Sequence, residues 1–483
     1  MLRRTKIVAT LGPASSSQEA LEKMIAAGVD LVRMNFSHGS AEDHIKRAET
    51  VRAAAAAVGR TVGILADLQG PKIRVRKFEN DKIVLKRGAT FILDATLDGL
   101  GNQERVGLDY KDLPKDVSAG SILLLNDGML EFVVKEVRGE EVICEVVRGG
   151  ILSNNKGINR KGGGLTAPAL TDKDKEDIKT VAMIGADYLA VSFPRSAADM
   201  KLARELMHAA GGKSMLLAKI ERAEAIPALE EIIEASDAIM VARGDLSVEV
   251  GDAAVPGLQK RMIKMARAKN RLVITATQMM ESMIINPIPT RAEVSDVANA
   301  VLDGTDAVML SAETAVGDYP IETIEAMARI CLKAEREIED HAIDRRGISQ
   351  VFTRIDQSIA MSALYAASHF KVTAIVAMTQ SGSTALWMSR VNAGVPIFAL
   401  TPVLQTLTKV TLFSGVHPVL FPDNGEPRRT EQELVEVERH LLAKGYVKEG
   451  DLVVITVGEA AGQSGHTNTM KIVRIGAHHK NSI

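Results

Sequence analysis

The sequence predicts an α/β protein built on a (β/α)8 barrel, with an all-β lid domain inserted into it and an open α/β domain after it. Three observations carry this prediction. Short apolar strands alternate with amphipathic helical stretches through eight units. The alternation breaks once, after the third unit, at a strand-rich stretch. Polar residues collect at the C-terminal ends of the predicted strands: Arg33, Asn35, Asp67, Lys219, Glu221, Asp245, Thr277 and Glu313. An open doubly wound sheet would alternate too, but a closed barrel gathers those strand ends on one face.

In chain order, Lys6-Ile-Val-Ala-Thr-Leu11 reads as the first strand, followed by Gly12-Pro13 and a Ser-rich helix start at Ser15 to Ser17. Asp30 to Phe36 is the second strand, the Ala-rich run from about Ala41 to Val58 a helix, and Thr61 to Asp67 the third strand. From about Lys72 to Leu165 the pattern turns to strands with close turn signals, including a hairpin at Asn126-Asp-Gly128. Gly162-Gly-Gly164 then makes a flexible return. Alternation resumes at Tyr188 and continues through Met215–Glu221, Ala238–Asp245, Arg271–Thr277 and Asp306–Glu313. A polar stretch, His341 to Gly347, leads into a smaller alternating unit with strands at Thr373–Met378, Pro396–Leu400 and Asp451–Val457. The expected domains are 1–70 with 166–345 (barrel), 71–165 (lid) and 346–483 (C-terminal α/β domain).

Composition excludes several classes. The 483 residues are 46% hydrophobic and 25% charged, with a net charge of −2, which is ordinary for globular proteins and offers no general attraction to nucleic acid or anionic lipid. Aromatics are 3%, too few for base-stacking platforms. Cys144 and Cys331 have no partner spacing, so buried thiols in a reducing cytoplasm are expected. No apolar run is long enough for a membrane span, and the basic start at Met1 to Ile7 lacks a signal-peptide core.

The most informative stretch is Met215-Leu-Leu-Ala-Lys-Ile-Glu221. Lys219 and Glu221 are two apart, so they share one strand face. Charges at the end of an apolar strand need partners or a solvent-open site. Taken alone, a structural Lys–Glu pair is the simpler reading. The next strand, ending Arg243-Gly-Asp245, shifts the balance. Adjacent parallel strands lie about 5 Å apart, so Glu221 and Asp245 can converge on one cation. Two carboxylates with room for water and ligand suit Mg²⁺ or Mn²⁺ better than zinc.

Five stretches resemble the pyruvate kinase family: Arg33-Met-Asn-Phe-Ser-His-Gly39, Leu216–Glu221, Val241–Leu246, Ile274–Met283 and Asp306–Thr314. They occur in the family's order and span essentially the whole chain. The resemblance implies transfer of a phosphoryl group from phosphoenolpyruvate to ADP, giving pyruvate and ATP. It implies Glu221 and Asp245 as metal ligands, Lys219 as the cation stabilising the transfer, and Gly244 and Thr277 as substrate contacts, with Thr277 near the proton's route. Arg33 resembles the phosphoryl-contacting arginine. Arg74, Lys156 and His38 resemble nucleotide contacts. A homotetramer is implied as well. A metal-dependent lyase or aldolase on a similar barrel is a rival, as is a catalytically silent subunit; the intact Lys219, Glu221 and Asp245 argue against the latter.

Three finer expectations follow. Ser247 stands where the family commonly has glycine, so a left-handed backbone there would cost on the order of 1 kcal/mol. Asn35, Ser37, Asp67 and Leu68 match the family's monovalent-cation region, but Leu68, Gln69, Lys72 and Val75 resemble its K⁺-independent branch, with the Lys72 ammonium supplying the charge. Thr379-Gln-Ser-Gly-Ser-Thr384 opens a predicted helix and matches the family's effector phosphate loop; Thr379, Ser381, Gly382, Ser383 and Thr384 would hold a phosphorylated effector, a sugar monophosphate or AMP. Gly465 to Thr469 resembles the facing loop.

Overall fold

The computed structural model describes residues 2–339, 352–391, 394–422, 430–458 and 467–477. The expected polar linker and the 345/346 boundary lie outside these residues. Three barrel strands come first: β1 (Lys6–Thr10), β2 (Leu31–Asn35) and β3 (Gly63–Asp67). Eight strands, β4 to β11, follow between Lys82 and Arg160. The barrel then resumes with β12 (Tyr188–Val191), β13 (Met215–Ile220), β14 (Ala238–Ala242), β15 (Leu272–Ala276) and β16 (Ala307–Leu310). These eight close in the order β1-β16-β15-β14-β13-β12-β3-β2, with β3 pairing to β12 across the insertion.

Strand periodicity sorts the barrel's side chains. Ile7, Val32, Ile64, Leu216 and Ile239 pack outward against the helices. Val8, Leu31, Leu65, Leu217, Met240 and Ile274 belong to a separate cluster that fills the lumen. Arg33, Asp67 and Lys219 share the parity of Leu31, Leu65 and Leu217, so the lumen's top layer is charged. Several outer helices start on reciprocal caps. Ser40 Oγ accepts from the Asp43 N–H at 3.3 Å while Asp43 Oδ2 accepts from the Ser40 N–H at 2.9 Å. The helix Ala41–Val58 that follows ends at Gly59, whose φ of 70° suits glycine.

The inserted strands form a six-stranded sheet and a two-stranded pair around their own core, where Phe91 meets Phe132 edge-on at 5.8 Å. Asn126, Asp127 and Gly128 all take positive φ at the hairpin turn, as Asn-Asp-Gly favours. Cys144 is buried here and Cys331 in the barrel's helical layer.

The C-terminal sheet runs β19-β18-β17-β20-β21, comprising β17 (Ala374–Met378), β18 (Ile397–Thr401), β19 (Val416–Leu420), β20 (Leu452–Gly458) and the antiparallel edge strand β21 (Thr467–Arg474). Its underside closes the barrel's base: Phe413, Val416 and Ile375 join the lumen cluster. Polar contacts fix the docking. Arg390 clamps Asp306, with its second contact, Nη1 to Oδ2, at 3.0 Å. Lys6 Nζ donates to the Val416 carbonyl at 2.6 Å, and Tyr188 Oη to the Lys409 carbonyl at 2.6 Å.

Asp306 is fully buried, so removing it strands a buried guanidinium. Asp306→Ala should therefore destabilise the protein by about 3–5 kcal/mol, read as a lowered urea midpoint. A change below about 1 kcal/mol, the value of an exposed pair, would remove this clamp from the account.

Candidate active site at the barrel mouth

Four charges from strands β2, β3 and β13 meet at the top of the lumen. Arg33, from β2, pairs through Nε with Asp67 Oδ2 at 2.6 Å and donates to Thr10 Oγ1 at 3.2 Å. Asp67 ends β3. Its other oxygen, Oδ1, faces Lys219 Nζ at 3.2 Å and the Ser192 hydroxyl at 3.4 Å. Lys219 also donates to Ser192 Oγ at 2.8 Å and pairs with Glu221 Oε1 at 2.9 Å. Glu221 Oε2 accepts the Phe193 N–H at 3.0 Å. Phe193 takes a φ of 56°, which turns that N–H inward.

Burial opposes every charge in this cluster, and the partners decide the outcome. Burial drives the Asp67 carboxyl up, but Lys219 and Arg33 outweigh it and hold Asp67 below its ordinary range. Burial drives Lys219 down, and Asp67 and Glu221 raise it above the usual lysine range. Glu221 goes the other way. Burial, reinforced by repulsion from Asp245, outweighs Lys219 and pushes Glu221 up to about 7. A carboxyl held that high by burial and a second carboxylate is one whose charged form a further cation would stabilise.

Asp245 does not end a strand. It lies in the first turn of the helix Arg243–Val250, directly after β14. Its Oδ1 pairs with Lys72 Nζ at 3.3 Å. Gly244 donates its N–H to Thr277 Oγ1 at 2.8 Å, and the Thr277 hydroxyl donates to the Ala276 carbonyl at 2.7 Å. Thr277 and Gln278 both have positive φ, 68° and 54°. For a β-branched residue this is costly, on the order of 1–3 kcal/mol. Arg243 holds the strained turn, donating to the Ala276 carbonyl at 3.2 Å and the Thr277 carbonyl at 2.7 Å while pairing with Asp296 at 2.7 Å.

Ser247 is not left-handed. It lies inside the Arg243–Val250 helix, and its hydroxyl donates to the Gly244 carbonyl at 2.8 Å. The expected backbone cost is therefore absent, because the helix needs no positive φ there. Asn35 stands beside Asp67 in the β2–β3 register, and its Oδ1 accepts the Ser37 N–H at 3.1 Å. Leu68 is buried. His38 is exposed on the following loop. Arg74 and Lys156 lie on paired ribbons of the inserted domain: Arg74 bridges Gly157, and Val75 donates its N–H to the Lys156 carbonyl at 2.9 Å. Glu313 sits behind the site, accepting from the Met280 and Ser311 N–H groups.

Ser192, Phe193 and Arg243 escape sequence reasoning. Arg243 lies within a motif, yet its task is to hold carbonyls of a distant turn. The signal for Phe193 is a backbone angle, which composition does not carry.

Among the described residues no cluster of three or more His, Cys, Asp or Glu is arranged to hold a metal. Glu221 and Asp245 supply two carboxylates only. This donor set fits a hard divalent cation that fills its shell with water and ligand oxygens. Such a cation would offset the burial and the repulsion from Asp245 that together raise Glu221.

In metal-free protein, the infrared C=O band of Glu221 should disappear with a midpoint near pH 7, and the band should be missing in Glu221→Gln. Lys219→Met removes the cation that pulls this value down, so the midpoint should rise. A midpoint near the ordinary value of about 4.3 would show that burial does not dominate here.

Comparison with known families agrees with this geometry. Residues 2–324 match the model described as pyruvate kinase, barrel domain, and residues 357–473 match pyruvate kinase, alpha/beta domain. The chain is 56% identical over 479 residues to pyruvate kinase II of Salmonella typhimurium, covering 98% of this chain and 99% of the relative. It is 57% identical over 462 residues to pyruvate kinase of Haemophilus influenzae, covering 95% and 96%. A more distant relative, pyruvate kinase of Mycobacterium intracellulare, is 43% identical over 476 residues, with 99% of each chain covered. Five motifs, a barrel interrupted after its third strand, and a charged mouth thus coincide with matches along nearly the whole chain, and the protein is a member of the pyruvate kinase family.

Proposed function

We propose that the barrel mouth transfers the phosphoryl group of phosphoenolpyruvate to ADP, with Lys219 as the central cation. The observation that carries this reading is the placement of Lys219 Nζ between Asp67 and Glu221, 3.2 and 2.9 Å away. Phosphoryl transfer asks little covalent chemistry of a protein and much positioning and neutralisation of charge. Lys219 is a compact ammonium, held protonated by its carboxylates, aimed at where phosphoryl and enolate charge develops. Arg33, braced by Asp67 and Thr10, adds a second fixed cation for the phosphoryl oxygens.

Glu221 and Asp245 are the residues that would hold Mg²⁺ or Mn²⁺. When bound, the cation supplies Lewis-acid stabilisation of the enolate oxygen and of the transferring group. The Gly244 N–H fixes the Thr277 hydroxyl next to this position, beside the proton's route to the enolate carbon. Arg74 and Lys156, with His38, hold the nucleotide phosphates as the lid domain (71–165) closes on the barrel. Water is thereby kept from the phosphoryl group, which would otherwise be lost to hydrolysis.

Independence from K⁺ belongs to the same reading. Both Asp67 oxygens already carry cationic or hydroxyl donors, and Lys72 places a further ammonium 3.3 Å from Asp245. Asn35 and Ser37 are left as weak, neutral ligands. The loop Thr379–Thr384 is the proposed phosphate site for a sugar monophosphate or AMP. Gly382 takes a φ of 83° and donates its N–H to Thr379 Oγ1 at 2.9 Å, with Lys409 Nζ 2.5 Å from the Ser381 carbonyl. Thr384 is buried against Thr467 at 2.8 Å, so its hydroxyl orders the loop. Gly465 and His466 of the facing loop lie outside the described residues. A homotetramer in the cytoplasm completes the proposal; no helix among the described residues is long and apolar enough to cross a membrane.

Lys219→Met keeps the side-chain volume and removes the charge. ATP formation from phosphoenolpyruvate and ADP should fall by at least about 10³-fold, equivalent to roughly 4 kcal/mol of barrier, with unchanged circular dichroism. Near-normal turnover would take Lys219 out of the mechanism. With Mg²⁺ and tetramethylammonium as the only cations the wild type should be active, and added K⁺ should stimulate it less than about tenfold, or 1.4 kcal/mol. A larger stimulation would show that Lys72 does not replace K⁺. If Ser381→Ala and Thr384→Ala leave the activation curves of sugar monophosphates and AMP unchanged, the effector loop lies elsewhere.

A further inference from the structure

Both chain segments that join the inserted domain to the barrel are tied to one short helix, Arg243–Val250. On the outgoing side, Lys72 pairs with Asp245 at the helix start. On the return side, Glu249 near the helix end makes three contacts. Its Oε1 accepts from Asn159 Nδ2 at 3.3 Å, and Asn159 lies in the last strand of the inserted domain (Ile158–Arg160). Its Oε2 accepts the Ala223 N–H at 2.8 Å, two residues beyond Glu221. Its backbone carbonyl accepts the Gly162 N–H at 3.1 Å, at the first of three glycines with positive φ.

Neighbours complete the clamp. Glu224 accepts the Gly164 N–H, and Arg222 donates weakly, at 3.4 Å, to the Leu165 and Ala167 carbonyls while its guanidinium lies over the Phe193 ring, 5.4 Å from the centroid. Phe193 in turn donates to Glu221. Glu249 is 5% exposed. Burial raises its carboxyl's pKa above the ordinary range, with Asn159 and the Ala223 N–H opposing that rise. A buried carboxylate kept at such a cost between three elements has a job that a surface residue cannot do.

We propose that Glu249 is a positioning residue that couples the lid's hinge to the two carboxylates of the mouth, so that movement of the inserted domain and loading of the divalent cation are one linked event. A single side chain spans the hinge strand, the segment after Glu221 and the helix that carries Asp245. A shift of Asn159 therefore reaches both carboxylates through rigid backbone. Linkage makes the effect reciprocal: a cation held by Glu221 and Asp245 steadies the helix and thereby the hinge.

The inference rests on Glu221 and Asp245 being the metal ligands, and the test separates the two claims. Mn²⁺ binding is followed by loss of the free-ion electron paramagnetic resonance signal, without substrates. Hinge opening is followed by hydrogen–deuterium exchange of the 156–164 segment. In the wild type Mn²⁺ should bind and slow exchange in this segment by at least about fivefold, the lower end of ordinary coupling. Asn159→Ala cuts only the lid arm, and Glu249→Ala cuts both. Each should lose the slowing, and by reciprocity Mn²⁺ should bind more weakly by no more than the same factor. Glu249→Gln should restore it, since the amide oxygen can accept from Ala223 and the amide N–H can meet a flipped Asn159. Slowing that persists in Asn159→Ala and Glu249→Ala would overturn the proposal, as would loss of Mn²⁺ binding in both. Failure of the wild type to bind Mn²⁺, or full binding by Glu221→Gln, would instead overturn the metal assignment.

Discussion

The contact between Lys219 and the two carboxylates beside it constrains everything else at the mouth. Isolated charges in a dry lumen are untenable, and pairs survive only with good geometry and further hydrogen bonds. The cluster meets that demand in one arrangement: Arg33 and Lys219 on opposite oxygens of Asp67, Ser192 between Lys219 and Asp67, and the Phe193 N–H on Glu221. The partners come from barrel strands or from the one or two residues that follow them, so the barrel's register is also the site's register. Burial, with repulsion from Asp245, outweighs Lys219 at Glu221, an imbalance that a cation bound beside it would relieve. The apolar layers beneath, from Leu217 and Leu65 to the C-terminal domain, keep water from relieving the imbalance from below.

Strain and order are distributed with the same logic. Positive φ at Phe193, Thr277 and Gln278 concentrates around the mouth. Arg243 secures the Thr277 turn from behind. The helix it opens carries Asp245 at one end and the hinge contacts of Glu249 at the other. Lys72 from the inserted domain and Asp245 from the barrel form an ion pair across the boundary between them. One element of eight residues thus touches the mouth through Asp245 and the inserted domain through Lys72 and Asn159.

Much of this was legible in the sequence, and the exceptions have physical reasons. The eight barrel strands showed as apolar runs because both faces of a barrel strand are buried, and the charges at their ends stood out against that background. The helix at Ala41–Val58 was readable from its alanine-rich run, and the Ser40–Asp43 cap and the stop at Gly59 fix its ends. Parity placed Lys219 and Glu221 on one side of β13. Asp245 was expected on a strand end and lies on a helix, because Ala242 ends β14 one residue before Arg243 begins the helix. Ser247 raised a concern that helical backbone removes. The edge strands β19 and β21 went unseen: β19 contains Pro418, which an edge position tolerates, and β21 is largely polar with no regular alternation of buried residues. Ser192 and Phe193 were seen as strand residues only, since their roles depend on partners on β3 and β13.

The most direct test of the central claim is phosphorus NMR of phosphoenolpyruvate and ADP mixed with the purified protein, with and without Mg²⁺, beside the Glu221→Gln variant. The account predicts loss of the phosphoenolpyruvate resonance and growth of the ATP resonances only for the wild type with Mg²⁺. ATP formed by Glu221→Gln at the wild-type rate, or by the wild type in the absence of any divalent cation, would contradict it.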